Sequence, residues 1–309
     1  MSKMNFGRYS FNISHEEKIF FPKSKITKGE FISYYNDIAE IILLHIQDRP
    51  VSMLRMPDGI KGESFFQKDA PDYFPEWIKT KRIKKQGGSV HYVICNNKAT
   101  LVYLANQGCI TPHVWLSKIN KLNYPDRLIF DLDPSGKNYD FKKVKSAAKI
   151  FNKFLSEELK LDPFLMTTGS RGLHVVVPIY ANNNFDDVRE LGQDIAKVIA
   201  DRYPDELTNE VRKKKRKGRI FLDTARNAFA QTAVPPYSVR PGENAPVAAP
   251  IDWDELSNKK LISQSYNIKN IFKRLNKDPD PWKDINQHKN SLKKTYKILN
   301  DIIKDELDN

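Results

Sequence analysis

The sequence predicts an α+β fold, because strand patterns and helical patterns both occur in a chain with enough apolar residues for a core. Strands are indicated by apolar or alternating runs at 89–95 and 127–133. Helices are indicated by apolar residues at the helical period at 141–159 and 187–203. A hydrophobic content of 40% over 309 residues argues against disorder.

Charge and hydropathy narrow the classes of partner. The 51 Lys and Arg residues exceed the 38 Asp and Glu residues, and the net charge of +13 predicts a polyanionic partner, most simply nucleic acid. The apolar runs at 38–46 and 175–180 are too short to span a membrane, and no basic amphipathic helix supports a membrane partner. Cys95 and Cys109 lack metal-ligand spacing, and the polar start has no signal-peptide core. We therefore expect a reduced, cytoplasmic protein.

The N-terminal segment ends in a helix start signal. Thr27 and Glu30 form a capping box for a helix over about 28–45. Lysines before this helix can bind a phosphate together with its free amide groups, although a solvated basic surface is the more common meaning of such lysines.

The segment 51–115 predicts strands, a short helix at 97–107 and two aromatic neighbours. Phe65 and Phe66 face opposite sides of a strand, so one of them is a candidate platform for stacking a base, or a rim residue beside a core residue. His113 lies on a strand-like piece, where a lone histidine is more often structural than catalytic.

The strand at 127–133 ends in two carboxylates. Asp131 and Asp133 share one face of this strand, Leu132 points to the other, and Pro134 ends it. Two carboxylates about 7 Å apart can hold one or two divalent cations. Ordinary turn chemistry at a strand end explains the pair equally well when it is taken alone.

A glycine-rich turn follows between two strands, over 168–174. Its glycines, hydroxyls, Arg171 and His174 can present amide groups and a guanidinium to a phosphate chain. The alternative is a plain β-hairpin whose glycines supply a positive φ.

A third carboxylate, Asp223, also lies at a predicted strand end, after the basic run 212–219. Such a run is most often a solvated loop that attracts polyanions. Three carboxylates at strand ends are what a two-metal phosphoryl or nucleotidyl transfer site requires. Positively charged and histidine side chains that can neutralise phosphates accompany them in the sequence: His113, Arg171, His174, Arg226 and Arg240.

Four motifs in order resemble the polymerase domain of bacterial DNA ligase D, in the archaeo-eukaryotic primase superfamily. They are Asp131-Leu-Asp133-Pro134, Thr168-Gly-Ser-Arg-Gly-Leu-His174, Phe221-Leu-Asp223-x-x-Arg226-Asn227 and Tyr237-Ser-Val-Arg240. The resemblance covers nearly the whole chain. It implies a primase-type fold with an RRM-like mixed or antiparallel sheet core flanked by helices. It also implies one domain over 1–309, with an N-terminal subregion 1–120, a catalytic subregion 121–265 and a helical tail 266–309.

The resemblance also implies templated addition of nucleotides, preferentially ribonucleotides, to DNA 3′ ends at gaps and breaks during non-homologous end joining. Asp131, Asp133 and Asp223 would bind two Mn²⁺ or Mg²⁺ ions. The implied nucleotide-binding residues are His113, Thr168, Arg171, His174, Arg226 and Arg240. The implied 5′-phosphate residues are His15, Lys18 and Lys28, and the implied template contacts are Arg55, Phe65, Phe66 and Arg216.

Three departures from the family pattern matter. Thr168 stands where serine is usual, Arg171 stands where lysine is usual, and His15 replaces a polar residue. Ligase and phosphoesterase domains are absent, so the resemblance implies separate ligase and Ku-type partners or an excised domain. The competing interpretations are a metal-dependent nuclease or phosphohydrolase and a non-catalytic module that binds DNA ends.

Overall fold

The computed structural model describes residues 2–136 and 139–308. Within those ranges, no helix is both long and apolar enough to cross a membrane. The chain divides into two compact units, each made of three chain segments. The first unit contains 1–120, 232–249 and 264–280, and the second contains 121–231, 250–263 and 281–309. The subregion boundaries expected from the sequence stay a prediction.

The first unit combines small sheets with four helices among the described residues. Its strands are β1 (Lys3–Phe6), β2 (Tyr9–Asn12), β3 (Ile19–Phe21), β4 (Ile26–Thr27), β5 (Pro50–Arg55), β6 (Phe65–Gln67), β7 (Thr80–Lys85), β8 (Gly88–Ile94), β9 (Cys109–Trp115) and β15 (Thr232–Ala233). Its helices are α1 (Lys28–Asp37), α2 (Ala39–Ile46), α3 (Lys98–Asn106) and α6 (Ile271–Lys277). The main sheet has the order β15-β9-β5-β8-β7, and β6 also pairs with β5.

Local sequence signals explain how these helices begin. The Thr27 hydroxyl accepts from the Glu30 amide and the Glu30 carboxylate accepts from the Thr27 amide, so the predicted capping box is confirmed. Asn97 caps α3 through the Thr100 amide. The helix expected over 28–45 is divided at Ile38, which separates α1 from α2.

The second unit is a sheet covered by helices. Its strands are β10 (Arg127–Asp133), β11 (Phe164–Thr167), β12 (Leu173–Pro178), β13 (Leu207–Thr208), β14 (Ile220–Asp223) and β16 (Pro250–Ile251). Its helices are α4 (Phe141–Lys153), α5 (Phe185–Arg202) and α7 (Leu292–Leu307). The sheet order is β13-β14-β10-β12-β11-β16, with β10 in the centre and antiparallel to both neighbours.

The two faces of β10 have different surroundings. Leu128, Phe130 and Leu132 are fully buried, and the Phe130 ring packs 4.9 Å from the Phe151 ring of α4. Helix α5 approaches the same face so closely that a Cβ on Gly192 would lie 2.9 Å from Leu128 Cδ1. Asp131 and Asp133 point to the other face because side chains alternate along a strand. The helices therefore cover one face and leave the carboxylates on the other.

Candidate active site

Three polar side chains form one row across the open face of the second unit's sheet. Asp131 on β10 is directly opposite Asp223 on β14 and directly opposite His174 on β12. Residues paired in this way have Cβ atoms roughly 5 Å apart and project from the same face. The register therefore brings together two of the predicted carboxylates and the predicted phosphate-binding histidine.

His174 is held inside this row. Its side chain is 5% exposed, and Nε2 lies 3.5 Å from Asp131 Oδ2. The Nδ1 atom is buried without a hydrogen-bond partner among the described residues. A buried polar atom of this kind is unusual in proteins and marks a place where a further polar group can bind.

Asp133 lies one strand repeat from Asp131 and contacts a buried arginine. Arg216 Nη1 lies 3.3 Å from Asp133 Oδ2, and the guanidinium stacks 3.8 Å from the centre of the Phe221 ring. Burial and the neighbouring Asp131 raise the pKa of Asp133, while Arg171 and Arg216 act in the opposite direction. Arg216 is only 4% exposed, and the template contact expected for it from the resemblance stays a prediction. The basic run, expected to be a solvated loop, folds inward at Arg216, where the guanidinium also donates to the carbonyls of Glu210 and Val211.

The three aspartates have separate partners in this arrangement. Asp131 faces His174, Asp133 faces Arg216, and Asp223 Oδ1 accepts from the Ala225 amide at 2.8 Å. Across residues 2–136 and 139–308, no group of three His, Cys, Asp or Glu side chains is gathered as a metal site. The donor chemistry nevertheless fits a hard divalent cation, since three carboxylates project from one sheet face.

Asn227 fixes the strand that carries the aspartates. Its Oδ1 accepts from the Ile129 amide and its Nδ2 donates to the Ile129 carbonyl, each at 2.8 Å. The side chain is fully buried and replaces a neighbouring strand at this point. The sequence motif contained Asn227, but nothing in the residue pattern indicated this role.

The glycine-rich turn lies close against β10. A Cβ on Gly172 would lie 2.2 Å from the Leu132 carbonyl oxygen, so only glycine fits. The Thr168 hydroxyl accepts from the Ser170 and Gly172 amides and contacts Ser263 Oγ at 3.1 Å. Thr168 is therefore buried within the turn. Ser263, which also donates to the Gly172 carbonyl, had no signal in the sequence.

Arg171 is placed beside the loop that follows β10. Its Nη2 donates to the carbonyls of Pro134 and Gly136, and its guanidinium lies 5.1 Å from the centre of the Tyr139 ring. Arg226 lies on the short helical turn Ala225–Asn227, just before Asn227. Two of the three arginines predicted to bind the nucleotide thus belong to the unit that carries the three aspartates.

The first unit brings together the residues expected to bind a 5′-phosphate. The Lys28 amide donates to the Lys18 carbonyl at 2.8 Å, and the Lys18 amide donates to the His15 carbonyl at 3.1 Å. Lys28 Nζ donates to the Ser14 carbonyl, and the Lys18 ammonium pairs with Asp58. Burial, and next the positive charge of Lys18, lower the pKa of Lys28 to about 8.

The predicted template platform also lies in the first unit. Phe65 and Phe66 are 38% and 58% exposed, so both rings are accessible on the short strand β6. Arg55 lies behind them, 5.7 Å from the centre of the Phe65 ring and bonded to Gln67 and Tyr73. The Phe66 ring meets His113 edge-on at 5.3 Å. Arg240 belongs to this unit too, with its amide donating to the Pro246 carbonyl.

Comparisons with known proteins identify the family of the chain. The family model described as LigD, primase-polymerase domain matches residues 27–282. The chain is 31% identical over 251 residues to the multifunctional non-homologous end joining protein LigD of Mycolicibacterium smegmatis, covering 81% of this chain and 33% of that protein. It is 30% identical to the bifunctional LigD of Bacillus subtilis, covering 87% and 43% respectively. The chain thus spans less than half the length of these relatives.

A solved structure is similar over almost its full length. The polymerase domain from Mycobacterium tuberculosis ligase D, determined in complex with DNA, superposes with a TM-score of 0.83 at 25% identity. The match covers 91% of this chain and 99% of that one. The predicted primase-type α+β fold is thereby confirmed.

Proposed function

The chain belongs to the LigD primase-polymerase domain family and is a nucleotidyltransferase of that type, and from this premise we propose its reaction. We propose that it adds nucleotides, preferentially ribonucleotides, to DNA 3′ ends at gaps and broken ends during non-homologous end joining. The observation that carries the proposal is the row Asp223–Asp131–His174 with Asp133 beside it.

The three aspartates are the candidate metal ligands. Two Mn²⁺ or Mg²⁺ ions held there would supply Lewis-acid chemistry for nucleotidyl transfer. The surrounding residues support such a site, because Arg216 and Arg171 offset the repulsion between Asp131 and Asp133. In the proposed role, Arg216 positions the Asp133 carboxylate.

The incoming nucleoside triphosphate is proposed to bind beside this row. His174 has a free buried nitrogen there, and Arg171 and Arg226 supply positive charge in the same unit. Thr168 acts through the turn, since its hydroxyl holds the amides of Ser170 and Gly172. His113 and Arg240 lie in the first unit, and their contact with the nucleotide stays a prediction from the family resemblance.

The DNA contacts are proposed for the first unit. His15, Lys18 and Lys28 would bind a 5′-phosphate, supported by their backbone bonds to one another. Phe65 and Phe66 would stack on the template strand, and Arg55 would support Phe65 from behind. We further propose a separate ligase and a Ku-type end-binding protein as partners acting on DNA of the nucleoid.

Primer extension on a gapped duplex with a 5′-phosphate tests the reaction. We expect extension by the wild-type chain, with NTP preferred over dNTP and with dependence on Mn²⁺ or Mg²⁺. Asp133→Ala should lower extension by about a hundredfold or more, since a ligand of the transferring centre is lost. Affinity for the same DNA, measured by fluorescence anisotropy, should stay within about twofold.

Asp254→Ala is the matched control, because this exposed aspartate lies in the same unit away from the row. It should leave extension unchanged. Retained extension in Asp133→Ala would contradict the metal assignment, and release of nucleotides from DNA without added NTP would favour a nuclease.

A further inference from the structure

A cavity of about 430 Å³ opens beside Asp223, and the reaction proposed above assigns it no role. It lies wholly within the second unit, between α5, the end of β14 and the segment 209–211. Strand β13 pairs with β14 only at Ile220 and Phe221, so the sheet edge ends where the cavity begins. The cavity thus extends from the outer edge of the sheet to one of the proposed metal ligands.

The walls of the cavity have different chemistry. One wall is a stripe of Arg189, Gln193 and Lys197, spaced four residues apart along α5. The remaining lining residues include the apolar side chains of Val211 and Ala225 together with the polar side chains of Asn209 and Thr224. A ligand that fits this lining carries both negative charge and apolar surface, as a nucleotide unit does.

The two cations of the stripe are available to a ligand. Arg189 and Lys197 are exposed, and within the described ranges neither side chain makes a hydrogen bond or an ion pair. Arg202 at the end of the same helix differs, since it pairs with Glu158 and Glu306. A solvated helix face would also leave cations unpaired, but such a face would not line a cavity that ends at Asp223.

Three of the five carboxylates of α5 lie near a different helix. Burial, with Asp187, Glu190 and Asp194, raises the pKa of Tyr296 on α7 to about 12. These carboxylates therefore lie near α7. They are not among the residues that line the cavity, where Asp223 is the acidic member.

We propose that this cavity holds the backbone of the DNA strand being extended, immediately upstream of its 3′ end; this rests on the proposed function. Asp223, a proposed metal ligand, is among the residues that line the cavity. Val211 at its outer rim leads directly into the basic run 212–219, which can continue the contact with phosphates. Arg189 and Lys197 contact phosphates, and the side chains of Val211 and Ala225 pack against sugars.

The dimensions suit a strand. Eight residues of α-helix separate Arg189 from Lys197, which corresponds to about 12 Å along the axis. Successive phosphates of one strand advance about 3.4 Å along the axis of B-DNA, so the stripe spans several phosphates. A single small anion would not need two cations at this separation.

Salt-dependent DNA affinity tests the proposal without requiring catalysis. The probe is a labelled primer–template duplex, titrated with the full chain over a series of salt concentrations by fluorescence anisotropy. Arg189→Gln and Lys197→Gln should each reduce the slope of log affinity against log salt by about one, because each removes a phosphate contact. Lys294→Gln, an equal charge change at an exposed position of α7, should leave the slope unchanged.

Substitutions of opposite charge at Val211, on the rim of the cavity, should change DNA affinity in opposite directions. Val211 is 73% exposed, so both Val211→Glu and Val211→Lys should fold. Binding should weaken with glutamate and strengthen with lysine. Equal affinities for these two variants, or unchanged slopes for Arg189→Gln and Lys197→Gln, would overturn the proposal.

Replacing phosphates of one DNA strand by uncharged linkages identifies which strand contacts the cavity. Methylphosphonates at the last three linkages of the primer should abolish the difference between wild type and the Arg189→Gln/Lys197→Gln double variant, whereas the same change in the template should preserve it. The reverse pattern, or equal competition by free AMP, would overturn the assignment. If the wild-type chain extends the primer but the variants show no binding defect, the role proposed for the cavity is refuted and the proposed reaction is not. If the expected binding pattern is seen but no chain extends the primer, the proposed reaction is refuted and the role of the cavity is not.

Discussion

At the residue scale, Lys28 gives the proposed 5′-phosphate site a pH dependence. Its pKa of about 8 lies below the ordinary 10.5 chiefly because the amine is buried, with Lys18 as the next cause. The contribution of Lys28 to the free energy of unfolding should therefore increase as pH rises from 8 to 10.5, since folding disfavours its charged form.

Phosphate binding requires the charged form of Lys28. Preference for a 5′-phosphate gap over a 5′-hydroxyl gap should thus fall by up to about tenfold between pH 7 and 9.

Lys28→Arg separates this titration from other effects of pH. The guanidinium stays charged throughout this range, so its phosphate preference should be nearly flat with pH. The phosphate itself is already dianionic above pH 7 and adds no slope. Parallel pH profiles for wild type and Lys28→Arg, measured by primer extension on the two gaps, would contradict the assignment.

Single residues show which parts of the site could be predicted from the sequence. Asp131, Asp133 and Asp223 were found because carboxylates at strand ends form a visible pattern, and the register places Asp131 opposite Asp223. The contact of Arg216 with Asp133 could not be predicted from the residue pattern, because a basic run does not reveal which of its members folds back onto a carboxylate. Ser263 could not be found, since its contact with Thr168 joins residues far apart in the chain.

At the scale of elements, strand β10 depends on a side chain in place of a backbone partner. Asn227→Ala would leave both the amide and the carbonyl of Ile129 buried and unsatisfied. We expect a loss of about 2–4 kcal/mol in the free energy of unfolding, measured by urea denaturation. Asn300→Ala on the exposed face of α7 should change stability by less than about 0.5 kcal/mol. A similarly small effect for both variants would show that β10 does not need the hydrogen bonds of Asn227.

Elements themselves were largely predictable where local signals exist. The capping box begins α1, and the glycine turn joins β11 to β12 as the pattern indicated. The division of the first long helix at Ile38 was not predicted, because the apolar period continues through it. Exposure of both Phe65 and Phe66 depends on tertiary packing around β6, which alternation along a strand cannot specify.

At the scale of the whole molecule, the chain returns to its first unit after building most of the second. Residues 232–249 and 264–280 belong to the same compact unit as 1–120. The returning segments provide strand β15 beside β9 and the carboxylate of Asp280. That carboxylate accepts from the Tyr237 hydroxyl at 2.6 Å and lies 3.0 Å from Nε2 of buried His45. Patterns that are local in sequence cannot indicate such long-range partners.

A fragment of residues 1–120 should therefore lack a cooperative thermal unfolding transition, although it contains α1, α2, α3 and most of the main sheet. It loses β15 and leaves His45 without Asp280.

In the full chain, Asp280→Ala should lower the free energy of unfolding by about 3–5 kcal/mol, because a buried histidine and a tyrosine hydroxyl lose their shared acceptor. Asp278→Ala, at an exposed position two residues earlier, is the control. The thermal unfolding of the fragment and of the two full-length variants is followed by circular dichroism. A cooperative transition in the fragment would mean that the returning segments are dispensable for folding, and the stability loss in Asp280→Ala would then have to arise from a local contact alone.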